Sequence, residues 1–334
     1  MIVVGITVHL LAVNLACAGP LVCIWLHFFS IDGDLRDRLG KSLAWLSLAA
    51  LVLGMLTGGL LVLVAPSAGL NEAIGRFPAR AYWMAGFELV FSSVFLLVYA
   101  ICWKPMRRVR WLHALVSLLG TSNLLYHFPP LMVVLGKLAI DPLWTKTATL
   151  DRPAFRELMF RGDVMSLSSH FGLASLAVSA VTLLLLLSRL PREDLELPST
   201  KLIARGAAAS TLVFSALQIP VGIWVLAAAT DSERNALTGG DPLSSLLFVG
   251  GMLLTFLLLQ RLAAVTMGEF DSGSLRRVGL LLVVVILLMT ATLRGSRRGR
   301  DSIKKAAENL PPRLAVVESN EWTFLQILRP RRRC

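Results

Sequence analysis

Charge is what this chain has least of. Asp, Glu, Lys and Arg together make up 16% of its 334 residues, against 55% hydrophobic residues. Soluble domains carry about a quarter charged residues, so a water-soluble globular enzyme or binding module is excluded. Basic residues are missing from the start as well, since none precedes Arg36. The first apolar segment therefore lacks the charged n-region of a secretory signal peptide. Despite the small residues of "NLACAGP" it reads as a retained helix. The four cysteines, Cys17, Cys23, Cys102 and Cys334, form no CxxC or CxxCH, which excludes a zinc knuckle and a covalent c-type haem. No HxxxH or HxxE occurs either, so the short ligand spacing of a compact metal site is absent. Internal repeats and low-complexity linkers are lacking too.

What the chain has instead is long apolar runs. A hydrocarbon core of about 30 Å takes about 20 residues of helix. Runs of that length lie at Ile2–Phe28, Ser42–Ala65, Tyr82–Trp103, Trp111–Gly136, Val164–Ser188, Leu202–Ala229, Leu243–Val265 and Leu275–Leu293. The fold expected is all-α, a polytopic transmembrane helix bundle of about eight spans, with residues 1–293 as the bundle and 294–334 as a basic C-terminal tail. Lys and Arg concentrate in the segments Phe29–Lys41, Lys104–Arg110, Arg189–Lys201 and Arg261–Arg277. Short basic loops face the cytoplasm, so the N-terminus is expected outside. Eight spans then send "RGSRRGR" and "RPRRRC" outside too, against that rule. The net charge of +12 suits anionic lipid headgroups, and no nucleic-acid partner is expected.

Histidines inside these spans need an explanation. With about 1.5 Å of rise per residue, His9 lies about 10 Å below the outer boundary, His170 about 9 Å and His127 about 13 Å. Glu88 falls at the same level. His27 and His113 fall near the inner boundary, where snorkelling or an interfacial hydrogen bond accounts for them. Each polar group in hydrocarbon needs its own partner, and a shared ligand would satisfy several at once. Imidazole binds zinc, copper or haem iron. The small residues of "GMLTGG", "WMAGFE", "SSHFGLAS" and "GAAAS" permit close helix packing and equally leave room for a flat macrocycle. A two-haem arrangement on paired helices fits less well: His113 and His127 are 14 residues apart, His9 and His27 are 18.

In order and motif the chain resembles subunit I of the cytochrome bd-type quinol oxidases. The segments are "VHLLAVNLACAGPL", "LSLAALVLGMLTGGLL", "MAGFELVFSSVFLLVYAICW", "ALVSLLGTSNLL" and "SLSSHFGLASLAVSA", covering about Ile2 to Ser188. The resemblance implies that His9 ligates a high-spin haem and His170 a low-spin haem b, with Asn123 at the family's helix-4 asparagine. Glu88 lies about one turn from the family's helix-3 glutamate, a place that Ser92 takes here. On the seventh helix, Ser245 and Leu247 stand where an arginine and a ligand methionine belong, with Met252 nearby. The quinol loop is cut to "TDSERNALTGGD", and "LLVVVILLMTATLRG" carries no carboxylate. His127, before two prolines in "YHFPP", stands ready to replace a missing ligand or to cap the carbonyls that the kink frees.

The function expected is a membrane-embedded haem b subunit of a bd-like respiratory complex in a bacterial inner membrane. It would transfer electrons, with oxygen or nitrogen-oxide reduction open, and Glu88 would be its catalytic carboxylate. Its partners would be lipids and a partner subunit or c-type cytochrome at the outer face. The tail, through Trp322 and Phe324, would lie against that partner. Two alternatives stay open: a haem-free scaffold, and a proton-coupled transporter working through His9, Glu88 and His170.

Overall fold

The computed structural model describes residues 2–29, 32–64, 68–269 and 271–308, with side chains given as far as residue 295, that of Arg107 excepted. The chain is an all-α bundle, and among the described residues eight helical segments are long and apolar enough to cross a membrane. The helices are α1 (Ile2–Phe29), α2 (Gly33–Val64), α3 (Ala68–Gly75), α4 (Ala79–Ile101), α5 (Arg110–Tyr126), α6 (Phe128–Ile140), α7 (Arg152–Met159), α8 (Gly162–Leu187), α9 (Arg192–Glu196), α10 (Pro198–Ala228), α11 (Asp231–Asn235), α12 (Pro242–Met267) and α13 (Ser272–Glu308). Together α5 and α6 make the fourth span.

The second helix starts nine residues earlier than its apolar run. Asp32 stops the preceding segment by accepting hydrogen bonds from the amides of Asp34 and Leu35, at 3.0 and 3.1 Å, as an N-cap does. Leu35, Leu39 and Leu43 then repeat every four residues and are buried, so the polar-looking stretch expected as a loop is the amphipathic first turns of α2. The last helix also exceeds its apolar run, because α13 continues as helix to Glu308. The proposed anchors Trp322 and Phe324 lie outside the described residues.

Helix α1 is the central element, packing on α2, α5, α8 and α13. In a bilayer, helices associate through close packing rather than through hydrophobic expulsion, and the α1–α2 seam is built accordingly. A Cβ on Gly19 of α1 would lie 2.0 Å from Ser47 Oγ of α2. Outside that seam, one on Gly40 of α2 would lie 2.2 Å from Trp103 Cζ2, just beyond α4. Consecutive spans alternate in direction. One end of the bundle therefore gathers the N-terminus and three connections that contain the short helices α3, α7 and α11. It is called the N-terminal face below. The other end, the far face, has tighter connections.

The two ends have separate cores. Towards the far face, Leu26, Leu39, Leu43, Tyr99, Trp103, Leu184, Leu187 and Leu262 form the larger cluster. At the N-terminal face, Ala73, Phe77, Val134, Leu138, Leu150, Phe155 and Leu158 tie α3, α6 and α7 into a cap over the end of α8. Arg76 secures the cap by donating to the carbonyls of Pro142 and Thr145, at 2.7 and 3.3 Å. Arg161 lies 4.2 Å over the Trp144 ring, while the Trp144 indole donates to Asp163 at 2.9 Å.

Candidate functional site

Interhelical hydrogen bonds fix the relative heights of the intramembrane histidines. Ser175 Oγ donates to Asn14 Oδ1 at 2.7 Å, which registers α1 against the parallel α8. Five residues before each partner stand His9 and His170, so the two imidazoles share one height. Five residues also turn each of them about 140° from that contact line, so neither points at the other. Cys17 donates to the Leu124 carbonyl and Ser117 to that of Pro20, at 3.4 and 3.2 Å. That antiparallel register brings His127 level with residues close to Asn14, about 5 Å from the height of His9 at 1.5 Å per residue.

Each imidazole at this height has its own surroundings. His9 faces α2, where its Nδ1 lies 3.0 Å from the Gly54 carbonyl and 3.3 Å from Thr57 Oγ1. The carbonyl can only accept, so Nδ1 carries the proton and Nε2 keeps the lone pair. The ring rests on Gly58, where a Cβ would be 2.9 Å from Cε1. His170 is half-buried on α8, and its Nδ1 is buried without a partner among the described residues. One turn earlier on the same face, Ser166 Oγ is in the same condition.

His127 sits at the break between α5 and α6. Pro129 and Pro130 cannot donate to the turn before them, and the ladder resumes when Leu131 N donates to the His127 carbonyl at 3.2 Å. The ring does not cap the freed carbonyls. Its Nδ1 is bonded to Glu88 Oε2 across the α4–α5 seam, both side chains being 22% exposed, and Phe155 of the cap packs edge-on against it at 5.5 Å. Glu88 also lines a groove of about 230 Å³ with Arg80, Trp83, Met84 and Phe87. All five residues belong to α4, and the groove falls short of the roughly 300–1,000 Å³ of organic-ligand pockets. Asn123 adds its backbone carbonyl, which accepts from His127 N at 3.0 Å.

Other expected positions fall elsewhere. Met252 of α12 is 41% exposed on the outer surface of the bundle, and Ser245 Oγ donates to the Ala236 carbonyl at 3.2 Å. Ser92 is fully buried, with a hydroxyl unpartnered among the described residues.

His27 and His113 depart most from the sequence reading. Neither snorkels. Both are buried, with ring centroids 5.6 Å apart. Trp103 packs edge-on against both, and Tyr99 stacks on His113 at 4.1 Å. His113 Nε2 donates to the Tyr99 carbonyl at 2.9 Å, while both nitrogens of His27 lack a partner among the described residues. Depth along a helix does not reveal this pair, which rests on the aromatic wall that Tyr99 of α4 and Trp103 just beyond it set across it. The signal available was "YAICW", with Tyr99 and Trp103 one turn apart.

Among the described residues no three His, Cys, Asp or Glu side chains are grouped so as to hold a metal ion. The donor set therefore fits single imidazole ligands, with His9 Nε2 and His170 Nδ1 uncommitted, rather than a bare ion shared by several. Fold and site together define the class: an integral membrane helix bundle with ionisable side chains gathered at one depth. No family profile, curated protein or solved structure matches the chain.

Proposed function

We propose that the chain is a haem b-binding electron-transfer subunit of a cytochrome bd-like respiratory complex in a bacterial inner membrane, with its N-terminal face outside. The observation that carries this reading is His170, at the position of the family's low-spin ligand, with a buried Nδ1 that has no partner among the described residues. His9 supports it, because the Gly54 carbonyl accepts from Nδ1 and so fixes the ring in the tautomer whose Nε2 can ligate. Haem b, when bound, supplies one-electron transfer at a potential set by axial ligands and burial. In this reading His9 and His170 hold and orient, and the cap of α3, α6 and α7 excludes water from their level. Glu88 Oε2 and His127 Nδ1, hydrogen-bonded to each other, would be the acid–base pair nearest that level, should the bound group reduce oxygen or a nitrogen oxide. The electron donor would be a partner subunit or c-type cytochrome at the outer face, met by the basic segment from Arg294 onward. His127 is less suited to ligation than the other two, since its Nδ1 is held by a carboxylate beside a groove that a macrocycle does not fit.

A reduced-minus-oxidised optical spectrum of the purified chain tests the reading. A haem b signal is expected, and His170→Ala should remove its low-spin component while the chain stays inserted. A parent spectrum with no haem overturns the proposal. The direct Glu88–His127 contact then favours the second reading, a proton-coupled transporter, which requires proton uptake that Glu88→Gln abolishes.

A further inference from the structure

At the far face one corner of the bundle is basic and aromatic. The connection from α4 to α5 reads "KPMRRVR". Lys104, Arg108 and Arg110 are exposed, and none meets a carboxylate among the described residues. Asp37, within the same end of the bundle, is already engaged by Arg36 at 3.1 Å and by the Trp103 indole at 3.4 Å. Beside these cations the end of α1 presents Phe28 and the start of α5 presents Trp111, with ring centroids 4.6 Å apart and Trp111 78% exposed. Val109, the N-cap residue of α5, makes no side-chain cap bond, so the first amides of that helix get no partner from their cap residue. The buried layer under the corner is the packed His27–His113–Trp103 cluster, which holds α1, α4 and α5 in fixed relation.

We infer that this corner binds the headgroup of an anionic phospholipid. The position selects the ligand. Trp and Phe at a span's end sit at the headgroup level of a bilayer, and a basic cluster directly beyond a transmembrane helix attracts acidic lipid at about 1 kcal/mol per Lys or Arg. A phosphodiester set between Lys104, Arg108 and Arg110 meets three charges at the start of α5, while its acyl chains lie along Trp111 and Phe28. A zwitterionic headgroup carries its own cation to the same place and gains far less. The inference stands apart from the haem proposal, because it concerns the opposite end of the bundle and no redox group.

Trp111 supplies the readout. The full chain is placed in nanodiscs that contain either brominated phosphatidylglycerol or brominated phosphatidylcholine at equal mole fraction. Subtracting the quenching seen in Trp111→Phe isolates the signal of this corner. Stronger quenching by the brominated phosphatidylglycerol is expected, weakening as salt rises. The preference should fall by about fivefold for each charge removed, first in Arg110→Gln and further in the Lys104→Gln/Arg108→Gln/Arg110→Gln variant. All three side chains are exposed, so the parent's thermal unfolding should be retained, and Arg110→Gln alone decides if the triple variant does not fold. Equal quenching by the two lipids in the parent, or an unchanged preference in Arg110→Gln, overturns the inference. In that event the corner is left to an acidic protein partner or to solvent.

Discussion

The two ends of this bundle treat buried imidazoles in opposite ways. At the N-terminal level each histidine has its own neighbour: His9 has the Gly54 carbonyl, His127 has Glu88, and His170 has a nitrogen left over. At the far face His27 and His113 are packed on each other and against Tyr99 and Trp103, and among the described residues the two rings make one hydrogen bond, from His113 to the Tyr99 carbonyl. The first arrangement holds His9 in one tautomer against a carbonyl and places a carboxylate beside an open groove. The second uses the rings as flat packing units. Polar residues at one depth are thus not a site by virtue of depth. The partner that each ring meets decides whether its nitrogens remain available.

The largest expected effect lies in the Glu88–His127 pair. His127→Ala leaves Glu88 partly buried with no counter-group, and losing one member of a fully buried pair costs roughly 3–5 kcal/mol. With both side chains 22% exposed, about 2–3 kcal/mol is expected here, read as lost stability in detergent unfolding. Replacing both partners by leucine should restore most of it. At the other end, His27→Phe should change stability by less than about 1 kcal/mol, because the ring it replaces has no hydrogen bond among the described residues and a similar shape. Equal losses in His127→Ala and His27→Phe would erase the distinction between the two ends.

Much of this was readable without coordinates, and the failures have physical causes. The spans follow from composition, because apolar length is nearly all that membrane insertion requires. The shared height of His9, His170, His127 and Glu88 follows from helical rise. What the residue pattern could not supply is azimuth: which way a side chain points around its helix. Glu88 and His127 meet because α4 and α5 run antiparallel with Gly120 against Leu96. His9 and His170 share a height yet turn away from a common contact line. The loop expected before Lys41 failed for another reason, since the early turns of α2 are amphipathic and packed, and a hydropathy window does not see one buried face.

Close backbone approach supplies the next comparison, with one glycine at each end. A Cβ on Gly40 would lie 2.2 Å from Trp103, a ring 1% exposed in the far-face core. One on Gly69 would lie 2.2 Å from the Ala139 carbonyl, where α3 of the cap crosses α6. Overpacking of this kind costs about 1–3 kcal/mol. Gly40→Ala should destabilise the whole bundle, because Trp103 touches α1, α2 and α5. Gly69→Ala should lift only the cap, seen as faster hydrogen exchange in residues 68–77 and 141–161 with the global unfolding midpoint little changed. A global loss in Gly69→Ala as large as in Gly40→Ala would mean that the cap is part of the main cooperative unit.

The smallest effect comes from the bond that sets the height of the site. Ser175 donates to Asn14, and the same hydroxyl lies 2.9 Å from the Phe171 carbonyl of its own helix. The two deletions are therefore unequal. Asn14→Ala leaves the serine with its local acceptor, so the loss should stay near 0.5 kcal/mol, in line with the modest worth of single interhelical bonds in membranes. Ser175→Ala leaves Asn14 Oδ1 buried without its donor, and an unsatisfied group costs about 1–3 kcal/mol. Ser175→Ala is expected to be the more harmful of the two by about 1 kcal/mol, measured by unfolding in the same detergent. If the order is reversed, Asn14 has a second donor, and the α1–α8 register that puts His9 level with His170 rests on packing instead of on this bond.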